Sequence, residues 1–355
     1  MRPSGASAPT DLDVVARSVD GRIERLMAPE VARWADVDPD LVEPLCALRE
    51  LLFAGGKRLR PAFCHWAFVG AGGAPSDPLV TDAGAALELL HAFAVIHDDV
   101  MDASDYRRGQ PSVHRAFADR HAEAGWRGEG RRFGDGAAIL IGDLAYVYAD
   151  MLLADAPRQA HDVFAEQRLE VSLGQYLDLL GTARADTSAE QARRICLYKS
   201  GKYTVERPLH LGAALAGRLD DLGAYLSAFG LPLGEAFQLR DDLLGAFGDP
   251  EVTGKPVGED LREGKPTALY VLAMARADGS AAELLAERFG SASLTADEVA
   301  ALQTILVETG ARQRVEETID GLLERALVAL DGVPVTEEAR ARLAELAQFV
   351  ASRDR

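Results

Sequence analysis

The sequence contains little cysteine and too few basic residues to balance its acidic ones. Its three cysteines, Cys46, Cys64 and Cys196, are widely spaced and form no Cys-x-x-Cys pair. Such a set favours neither a disulfide framework nor a zinc site, and it indicates a reducing, cytoplasmic environment. The 38 basic and 56 acidic residues give a formal net charge of -18. This balance excludes nucleic acids and anionic membrane surfaces as expected partners, because both require a basic binding surface.

The sequence also lacks the apolar segments that insert into membranes. Residues 1–10 have no apolar core of the signal-peptide type, and no stretch of about eighteen uncharged apolar residues follows them. We therefore expect a soluble protein without integral membrane contact, in which residues 1–10, being small, polar and proline-containing, are disordered. Runs with strand periodicity are absent as well. Stretches rich in alanine and leucine with helical periodicity predict an all-α fold, built as one domain over residues 11–355.

The most informative segment is an apolar run that ends in acidic residues. Residues 83–97 are apolar on nearly every face, which predicts a helix buried at the centre of a sizeable protein. Asp98 and Asp102, four residues apart, share one face of its end, and Asp99 lies beside them. Clustered carboxylates repel one another and the negative end of the helix dipole, whereas a hard divalent cation such as Mg²⁺ stabilises them. The alternative for these three residues alone is a solvated, acid-rich helix end.

Two basic clusters flank this helix in the sequence. Residues 54–61, Ala-Gly-Gly-Lys-Arg-Leu-Arg-Pro, end one helix and begin the next. Lys57 and Arg60 in this turn are expected to form an anion pocket, although a solvated basic turn would have the same sequence. Arg107 and Arg108 follow the last carboxylate by five and six residues. Metal bound by the acids and arginines beyond it would together hold a diphosphate from two sides.

A second acidic site is predicted in residues 237–245, Phe-Gln-Leu-Arg-Asp-Asp-Leu-Leu-Gly. Gln238 and Asp242 are four residues apart and share a helix face, with Asp241 beside them. Upstream, Lys-Ser-Gly at residues 199–201 interrupts a helical pattern, and a glycine in mid-helix costs about 1 kcal/mol relative to alanine. A break or kink there would turn the lysine and backbone carbonyls toward a cavity. The alternative is an ordinary helix end.

Three further segments are interpreted from their glycine and proline content. Residues 119–136 contain five glycines and several charges and are predicted to form a surface loop. Residues 230–232, Gly-Leu-Pro, are interpreted as the start of a helix, and residues 248–264 as a loop. Residues 268–355 return to helical periodicity, are mostly acidic and show no functional pattern.

Taken together, these motifs resemble those of the trans-isoprenyl diphosphate synthases, the polyprenyl synthetase family. The resemblance spans residues 55–267 and consists of five motifs in family order: Gly-Gly-Lys-Arg-Leu-Arg-Pro, Asp-Asp-x-x-Asp followed by Arg-Arg-Gly, Lys-Ser-Gly, Phe-Gln-Leu-x-Asp-Asp, and Asp-Leu-x-x-Gly-Lys-x-Thr. It implies a single-domain helical bundle, usually a homodimer, whose acid clusters face each other across a deep cavity. It also implies a prenyltransferase, in which Mg²⁺ assists ionisation of an allylic diphosphate and the alkene of isopentenyl diphosphate attacks C1. These two diphosphates are the implied substrates, and the implied cofactor is Mg²⁺, with up to three ions bridging diphosphate.

The resemblance implies roles for individual residues by motif position. The implied metal ligands are Asp98, Asp99, Asp102, Asp241 and Asp242. The implied catalytic residues are Asp98, Asp102, Arg107, Lys199 and Asp241. The allylic diphosphate would be held by Arg107, Lys199, Gln238 and Lys265, and isopentenyl diphosphate by Lys57, Arg60, His91 and Arg108. Ser200 and Lys255 complete the expected substrate-binding set. Without the resemblance, His91 would be interpreted as a core residue of an apolar helix.

Two positions depart from the family pattern. Gly245 stands where the second cluster usually has a third aspartate, so this metal contact is expected to be absent or replaced, through Asp249 or Asp260. Ser200 stands for the usual threonine and keeps the hydroxyl. The first acidic cluster, which non-catalytic subunits of the family typically lose, is intact, and we therefore expect an active enzyme.

Product length is expected to depend on the depth of the cavity below Asp98. Phe93 lies five residues before this first acid, and the resulting pattern resembles the geranylgeranyl class. We predict that Phe93 forms the cavity floor and that the product is geranylgeranyl diphosphate (C20), made from C5 to C15 allylic primers; plain core packing is the alternative for Phe93. Farnesyl diphosphate and longer polyprenyl diphosphates are the alternative products. A class I terpene cyclase is less favoured, because it lacks the basic turn and needs only one diphosphate pocket.

Overall fold

Helices dominate the structure of this chain. The computed structural model describes residues 9–107, 109–184, 188–248, 258–291 and 293–353. Over these ranges the protein is helical apart from one two-stranded antiparallel ribbon, which confirms the predicted all-α fold. The disorder predicted for residues 1–10 concerns a segment of which residues 1–8 lie outside the described residues.

The helices are, in chain order, α1 (Thr10–Ala35), α2 (Val42–Phe53), α3 (Leu59–Gly70), α4 (Pro78–Met101), α5 (Val113–Glu123), α6 (Gly130–Leu152), α7 (Arg158–Arg184), α8 (Ala189–Ile195), α9 (Arg207–Leu215), α10 (Leu219–Phe247), α11 (Glu259–Glu263), α12 (Ala268–Met274), α13 (Gly279–Arg288), α14 (Ala296–Glu308), α15 (Ala311–Asp331) and α16 (Glu337–Ser352). A 3₁₀ turn (Pro39–Leu41) precedes α2, and a π-helical segment (Cys196–Glu206), called the π segment below, joins α8 to α9. The ribbon pairs β1 (Tyr106–Arg107) with β2 (Gln110–Pro111).

Helix α4 lies at the centre of the bundle. It begins after Asp77, whose carboxylate accepts a hydrogen bond from the backbone N–H of Leu79 at 2.9 Å, and Pro78 occupies its first turn. Helices α1, α3 and α6 pack around it. By length and composition α4 is apolar enough to cross a membrane, but 61% of its most apolar 18 residues are buried inside the protein. We therefore interpret α4 as a core helix, in agreement with its apolar sequence.

Two hydrophobic clusters stabilise the bundle, and α10 belongs to both. The larger cluster surrounds α4 and includes side chains from the first half of α10, such as Leu226 and Phe229. The smaller cluster joins the second half of α10, including Leu239 and Leu243, to the helices from α11 onward. Because one continuous helix runs through both clusters, the acidic residues on α10 are fixed relative to those on α4.

The prediction of a long surface loop over residues 119–136 is wrong. Helix α5 ends and α6 begins within this range, so that only residues 124–129 connect them. The connection is folded against the helices by aromatic contacts: the ring centroids of Trp126 and Phe133 are 5.2 Å apart, and those of His121 and Phe133 are 5.5 Å apart. The loop is predicted from glycine content, which carries no information about such tertiary contacts between aromatic side chains.

The prediction of a helix start at residues 230–232 is also wrong. These residues lie inside α10, and the proline is buried there. The glycine of the segment permits close packing, since a Cβ atom at this position would lie 3.1 Å from the Cα of Glu206. Packing against the π segment and α9 thus outweighs the local signal of a helix start. Of the loop predicted over residues 248–264, residues 249–257 lie outside the described residues, and α11 occupies the end of the range.

Candidate active site

The three carboxylates at the end of α4 have different surroundings. Asp98 lines a deep cavity, whereas Asp99 is only 3% exposed and accepts hydrogen bonds from Arg107 at 2.6 and 3.0 Å. Asp102, one turn further, has a carboxylate oxygen 3.1 Å from the Nζ of Lys265. The ribbon of β1 and β2 carries Arg107 back toward the end of α4. Each carboxylate of this cluster therefore lies beside a cation, and Asp98 is the one that faces the cavity.

The predicted break at residues 199–201 takes the form of a π-helical widening within a continuous helical stretch. π-Helical turns are rare and occur frequently at functional sites. Here the widening directs Lys199 toward the end of α4, where its Nζ lies 2.9 Å from Asp98 and 2.6 Å from Asp178. The side-chain amide of Gln175 donates to the same oxygen of Asp98 at 2.9 Å. Lysine and amide together fix the orientation of this carboxylate.

Lys265 reaches the first acidic cluster from the segment that follows α11. Its Nζ lies 2.6 Å from the carboxylate of Glu263 and 3.1 Å from that of Asp102. Glu263 also accepts a hydrogen bond of 3.0 Å from the hydroxyl of Ser104, just beyond the end of α4. These contacts attach the segment after α11 to the end of α4 and bring a further cation to the site.

The second acidic cluster lies on α10 and opens into the same cavity. The side-chain amide of Gln238 donates to Asp242 at 2.7 Å, and Asp242 is buried. Asp241 forms an ion pair with Arg353, which follows α16. The cavity has a volume of about 1600 Å³, and both Asp98 and Asp241 line it. Carboxylates from two separate helices therefore face a single cavity.

Asp260 fills the space beside Gly245. A Cβ atom added at position 245 would collide with the carboxylate of Asp260, whose Oδ1 would lie only 2.8 Å away. Both residues line the cavity. A carboxylate therefore lies close to the position where the family pattern has its third aspartate, but it comes from α11. Asp249, the other expected replacement, lies outside the described residues.

The electrostatic surroundings of the two clusters differ. Burial alone would raise the pKa of Asp98, but the charges of Lys199 and Lys265 outweigh it and lower this pKa to about 2. For Asp242 burial is the dominant cause and raises the pKa to about 8. The hydrogen bond from its amide partner opposes this rise, and the charge of Asp260 adds to it. The negative charge of Asp98 is therefore stabilised by more nearby positive charge than that of Asp242.

The basic turn between α2 and α3 divides its cations between two roles. Arg58 is buried with a φ of 50°, and its guanidinium lies 2.7 Å from Glu88 and 2.8 Å from Asp20. This residue links the turn to α4 and α1. Lys57, Arg58 and Arg60 all line the cavity. The two cations singled out by the sequence thus reach the candidate site, and the third, Arg58, lies there as the partner of Glu88 and Asp20.

Aromatic rings support the cations on this side of the cavity. The guanidinium of Arg60 lies 4.5 Å from the ring centroid of Tyr203, and the Nζ of Lys57 lies 4.9 Å from that of Phe349. His91, on α4, also lines the cavity, with its ring 6.4 Å from Tyr203. Three basic side chains therefore line the cavity in addition to the lysines that contact Asp98 and Asp102, and they come from other segments of the chain.

Phe93 lines the cavity one turn and more below Asp98. Its ring centroid lies 4.5 Å from His97 and 5.0 Å from Tyr146 on α6. Tyr146 is itself covered by the guanidinium of Arg168, 4.7 Å from its centroid. The aromatic side chain is therefore supported from behind by a layered contact between α4, α6 and α7.

Most of the residues predicted for the site line the same cavity. These are Lys57, Arg60, His91, Phe93, Asp98, Arg107, Lys199, Ser200, Gln238, Asp241, Asp242 and Lys265. Asp99 and Asp102 lie beside them, in contact with Arg107 and Lys265 respectively. Arg108 and Lys255 lie outside the described residues.

Three further residues of the cavity were not recognised in the sequence. Gln175 and Asp178, three residues apart on α7, contact Asp98 and Lys199. Because α7 carries many other polar and charged residues, this pair does not stand out in the sequence. Arg353 contacts Asp241 from a region that showed no functional pattern. No local feature of the sequence distinguishes this arginine, because its contact joins residues more than one hundred positions apart.

The donor set fits magnesium when a diphosphate supplies additional ligands. Among the described residues, no three His, Cys, Asp or Glu side chains lie close enough to bind one ion by themselves. The carboxylates of Asp98 and Asp241 instead come from two different helices, line the same cavity and are each paired with a cation. Mg²⁺ commonly binds through one or two carboxylates, water and substrate phosphates. Oxygen donors from two helices that line one cavity suit this mode.

Comparisons with known proteins agree with the site. The profile of the Polyprenyl synthetase family matches residues 43–306. The chain is 31% identical to the geranylfarnesyl diphosphate synthase of Aeropyrum pernix, over 85% of this chain and 92% of that protein. It is 33% identical to the geranylgeranyl diphosphate synthase of Mycobacterium tuberculosis, over 78% and 75% respectively. Among solved structures, geranylgeranyl pyrophosphate synthase from Corynebacterium glutamicum, complexed with isoprenyl diphosphate and magnesium, superposes with a TM-score of 0.92, at 38% identity, covering 97% of this chain and 99% of that chain.

A helical bundle around one cavity lined by acidic and basic side chains is the arrangement expected of a prenyltransferase. The extent of the profile match and of the identities shows that the chain belongs to the polyprenyl synthetase family. The resemblance drawn from the five motifs is thereby confirmed.

Proposed function

We propose that this protein joins isopentenyl diphosphate to allylic diphosphates of five to fifteen carbons and releases mainly geranylgeranyl diphosphate. The observation that carries the proposal is that acidic residues of α4 and α10 and basic residues of three separate segments line one cavity. A coupling enzyme binds two diphosphates and needs two basic pockets, whereas a cyclase needs one. Geranylgeranyl diphosphate synthases among the similar proteins support the choice of product.

Arg107, Lys199 and Lys265 are proposed to hold the allylic diphosphate at the first acidic cluster. Each lies within 3.1 Å of a carboxylate of this cluster, so each can donate to a diphosphate bound beside it. Mg²⁺, when bound, supplies the positive charge that stabilises the leaving diphosphate as the allylic C1–O bond breaks. In other enzymes, loss of one positioned donor to a developing anion costs about 3 kcal/mol of transition-state stabilisation.

The five aspartates of the two clusters are proposed to hold up to three Mg²⁺ ions. Asp98 on α4 and Asp241 on α10 line the same cavity, and Asp102 extends the first cluster by one turn. Asp99, which accepts hydrogen bonds from Arg107, and Asp242, which accepts one from Gln238, are proposed as the further ligands of the two clusters. Asp260 is proposed to supply the third carboxylate of the second cluster, because it fills the space beside Gly245.

Lys57, Arg60 and His91 are proposed to hold isopentenyl diphosphate. They line the cavity on the side of the basic turn, and Arg108 would join them by motif position. The alkene of isopentenyl diphosphate then attacks C1 of the ionised allylic group, and a proton is lost to form the new double bond. No side chain in the described part of the cavity is assigned as general base. The departing diphosphate is proposed to accept this proton.

Phe93 is proposed to limit the length of the growing chain. It lines the cavity below Asp98 and is backed by Tyr146 and Arg168, so a prenyl chain that reaches it cannot extend without displacing a layered contact. Plain core packing, the alternative for this side chain, does not require it to line the cavity.

We further propose that the protein is a homodimer in the cytoplasm. Exposed apolar side chains form a stripe on two neighbouring helices, which are joined by a 2.7 Å ion pair between Arg168 and Asp150. The stripe consists of Leu140, Val147 and Met151 on α6 and Leu169, Leu173 and Tyr176 on α7. Leu140 and Leu173 are 65% and 62% exposed, and apolar patches of this kind commonly mark contacts between subunits. The proposed cytoplasmic location rests on the cysteine content.

Product analysis tests the proposed function. Purified protein is incubated with Mg²⁺, isopentenyl diphosphate and, in separate reactions, dimethylallyl, geranyl or farnesyl diphosphate, and the products are separated by chain length. We expect C20 diphosphate from all three primers. If the end product were farnesyl diphosphate or a diphosphate longer than C20, the proposed product length would be wrong. Absence of coupling, or cyclic hydrocarbon as the only product, would refute the proposed function.

A further inference from the structure

The π segment lies in backbone contact with α7 at Gly174. A Cβ atom added at position 174 would lie 2.5 Å from the backbone nitrogen of Lys199 and 2.7 Å from the carbonyl carbon of Tyr198. Both of these are main-chain atoms, which cannot rotate away as the end of a side chain can. Only glycine therefore permits α7 to approach the π segment this closely.

A second backbone contact holds the π segment against α10. A Cβ atom at Gly234 would lie 2.7 Å from the Cα of Gly201, and a Cβ atom at Gly201 would lie 3.2 Å from the carbonyl carbon of Gly234. The glycine that follows Lys-Ser in the motif is thus one half of a contact between two helices. A π-helical turn is wider than an α-helical turn, and glycines on both flanking helices provide the room it needs.

Polar residues on one face of α7 set the register of the π segment. Gln167 donates to the carbonyl oxygen of Tyr203 at 2.9 Å. Glu170 forms an ion pair with Lys202 of the π segment and accepts from Arg207, the first residue of α9, at 2.6 Å. Asp178 contacts the Nζ of Lys199. Together with the glycine at 174, these residues recur at helical spacing and present one face to the π segment. Lys199 is therefore constrained through its backbone and through its ammonium group.

We propose that Gly174, Gly201 and Gly234 are positioning residues for Lys199. They permit the close approach of α7, the π segment and α10, and this approach places the ammonium group at Asp98 and in the cavity. The inference rests on the proposed function in one respect, since the allylic diphosphate is the ligand that Lys199 is proposed to hold. A displacement of about 1 Å of a substrate-positioning group can lower the rate a hundredfold.

Three alanine substitutions at these glycines form a graded test. G201A introduces the mildest crowding, at 3.2 Å, and G174A collides with main-chain atoms at 2.5 Å. We expect kcat/KM for the allylic diphosphate to fall about tenfold in G201A and about a hundredfold in G174A and G234A, whereas KM for isopentenyl diphosphate changes less than about twofold. If G174A or G234A fails to fold, G201A carries the test.

The matched control is G212A. A Cβ atom at Gly212 would also collide with main-chain atoms, of Cys64 and Phe68, but between α9 and α3 and without contact to Lys199. We expect G212A to lower thermal stability and to keep the kinetic constants of the folded enzyme. K199A is expected to lower kcat/KM for the allylic diphosphate by itself. Adding G174A to K199A should lower this kcat/KM by less than about a further threefold, because both changes act through the ammonium group of Lys199.

Two results would overturn the inference. One is wild-type kcat/KM for the allylic substrate in folded G201A, and the other is a full additive loss from G174A in the K199A background. Amide hydrogen exchange across residues 196–206 gives a readout that needs no substrate, and we expect it to increase in G201A but not in G212A. A wild-type protein without coupling activity would refute the proposed function, whereas an active wild type with unaffected glycine variants would refute only this inference.

Discussion

At the scale of single residues, Phe93 is the side chain on which product length is proposed to depend. We predict that Phe93→Ala yields prenyl diphosphates longer than C20, because the truncation removes the ring in contact with Tyr146 and His97 and deepens the cavity. Chromatography of the dephosphorylated products measures the change. Phe133→Ala, in an aromatic cluster that does not line the cavity, is the control and should leave the products unchanged. An unaltered product distribution in Phe93→Ala would assign this ring to core packing.

Asp260 is the residue proposed to replace the missing aspartate at position 245. We predict that Asp260→Asn raises the Mg²⁺ concentration at half-maximal rate by about tenfold, since groups around a metal site typically change metal affinity by this order. A Mg²⁺ titration of the steady-state rate measures it. Asp297→Asn, at the start of α14 and outside the cavity, is the matched control. Equal Mg²⁺ requirements in the two variants would exclude Asp260 from the metal site.

At the scale of helices, the basic turn is fixed by one buried network of charges. Arg58 contacts Glu88 on α4 and Asp20 on α1, and both Arg58 and Glu88 are less than one tenth exposed. We predict that Glu88→Ala destabilises the protein by about 1 to 3 kcal/mol, because the buried guanidinium loses its nearest carboxylate and keeps Asp20 and the carbonyl oxygen of Leu52 as partners. Urea unfolding measures the loss.

The control for this prediction is an exposed pair of the same chemistry. Arg49 and Glu24 contact each other at 2.8 Å on the surface. Glu24→Ala should leave the free energy of unfolding nearly unchanged, since exposed ion pairs contribute little. If Glu88→Ala were as well tolerated as Glu24→Ala, the turn would not depend on the buried network.

The sequence predicts those elements whose signal is local. The apolar run before Asp98 predicts α4, and the spacing of the acids predicts which helix ends carry the site. The sequence does not distinguish a helix break at Lys199 from a π-helical widening, because the choice depends on glycines of α7 and α10 that are distant along the chain. For the same reason a buried Pro232 inside α10 and the contact of Arg353 with Asp241 follow only from tertiary packing.

At the scale of the whole molecule, the exposed apolar stripe on α6 and α7 is proposed as the surface between two copies of the chain. We predict that the double variant Leu140→Glu and Leu173→Glu is monomeric, because it places charges at the two most exposed positions of the stripe. Size-exclusion chromatography with light scattering measures the mass. Val328→Glu, at an equally exposed position on α15, is the control and should leave the mass unchanged. A monomeric wild type, or a dimer that persists in the double variant, would remove the stripe from the account.

The central claim is that the acids of α4 and α10 act together on a magnesium-bound diphosphate within one cavity. The rate of prenyl transfer, measured over a range of Mg²⁺ concentrations in the wild type, Asp98→Asn and Asp241→Asn, tests it most directly. We predict that the wild-type rate requires Mg²⁺ and that each substitution lowers kcat at least about a hundredfold at saturating Mg²⁺. Prenyl transfer at the wild-type rate in either variant, or undiminished transfer in the presence of a chelator, would contradict the account.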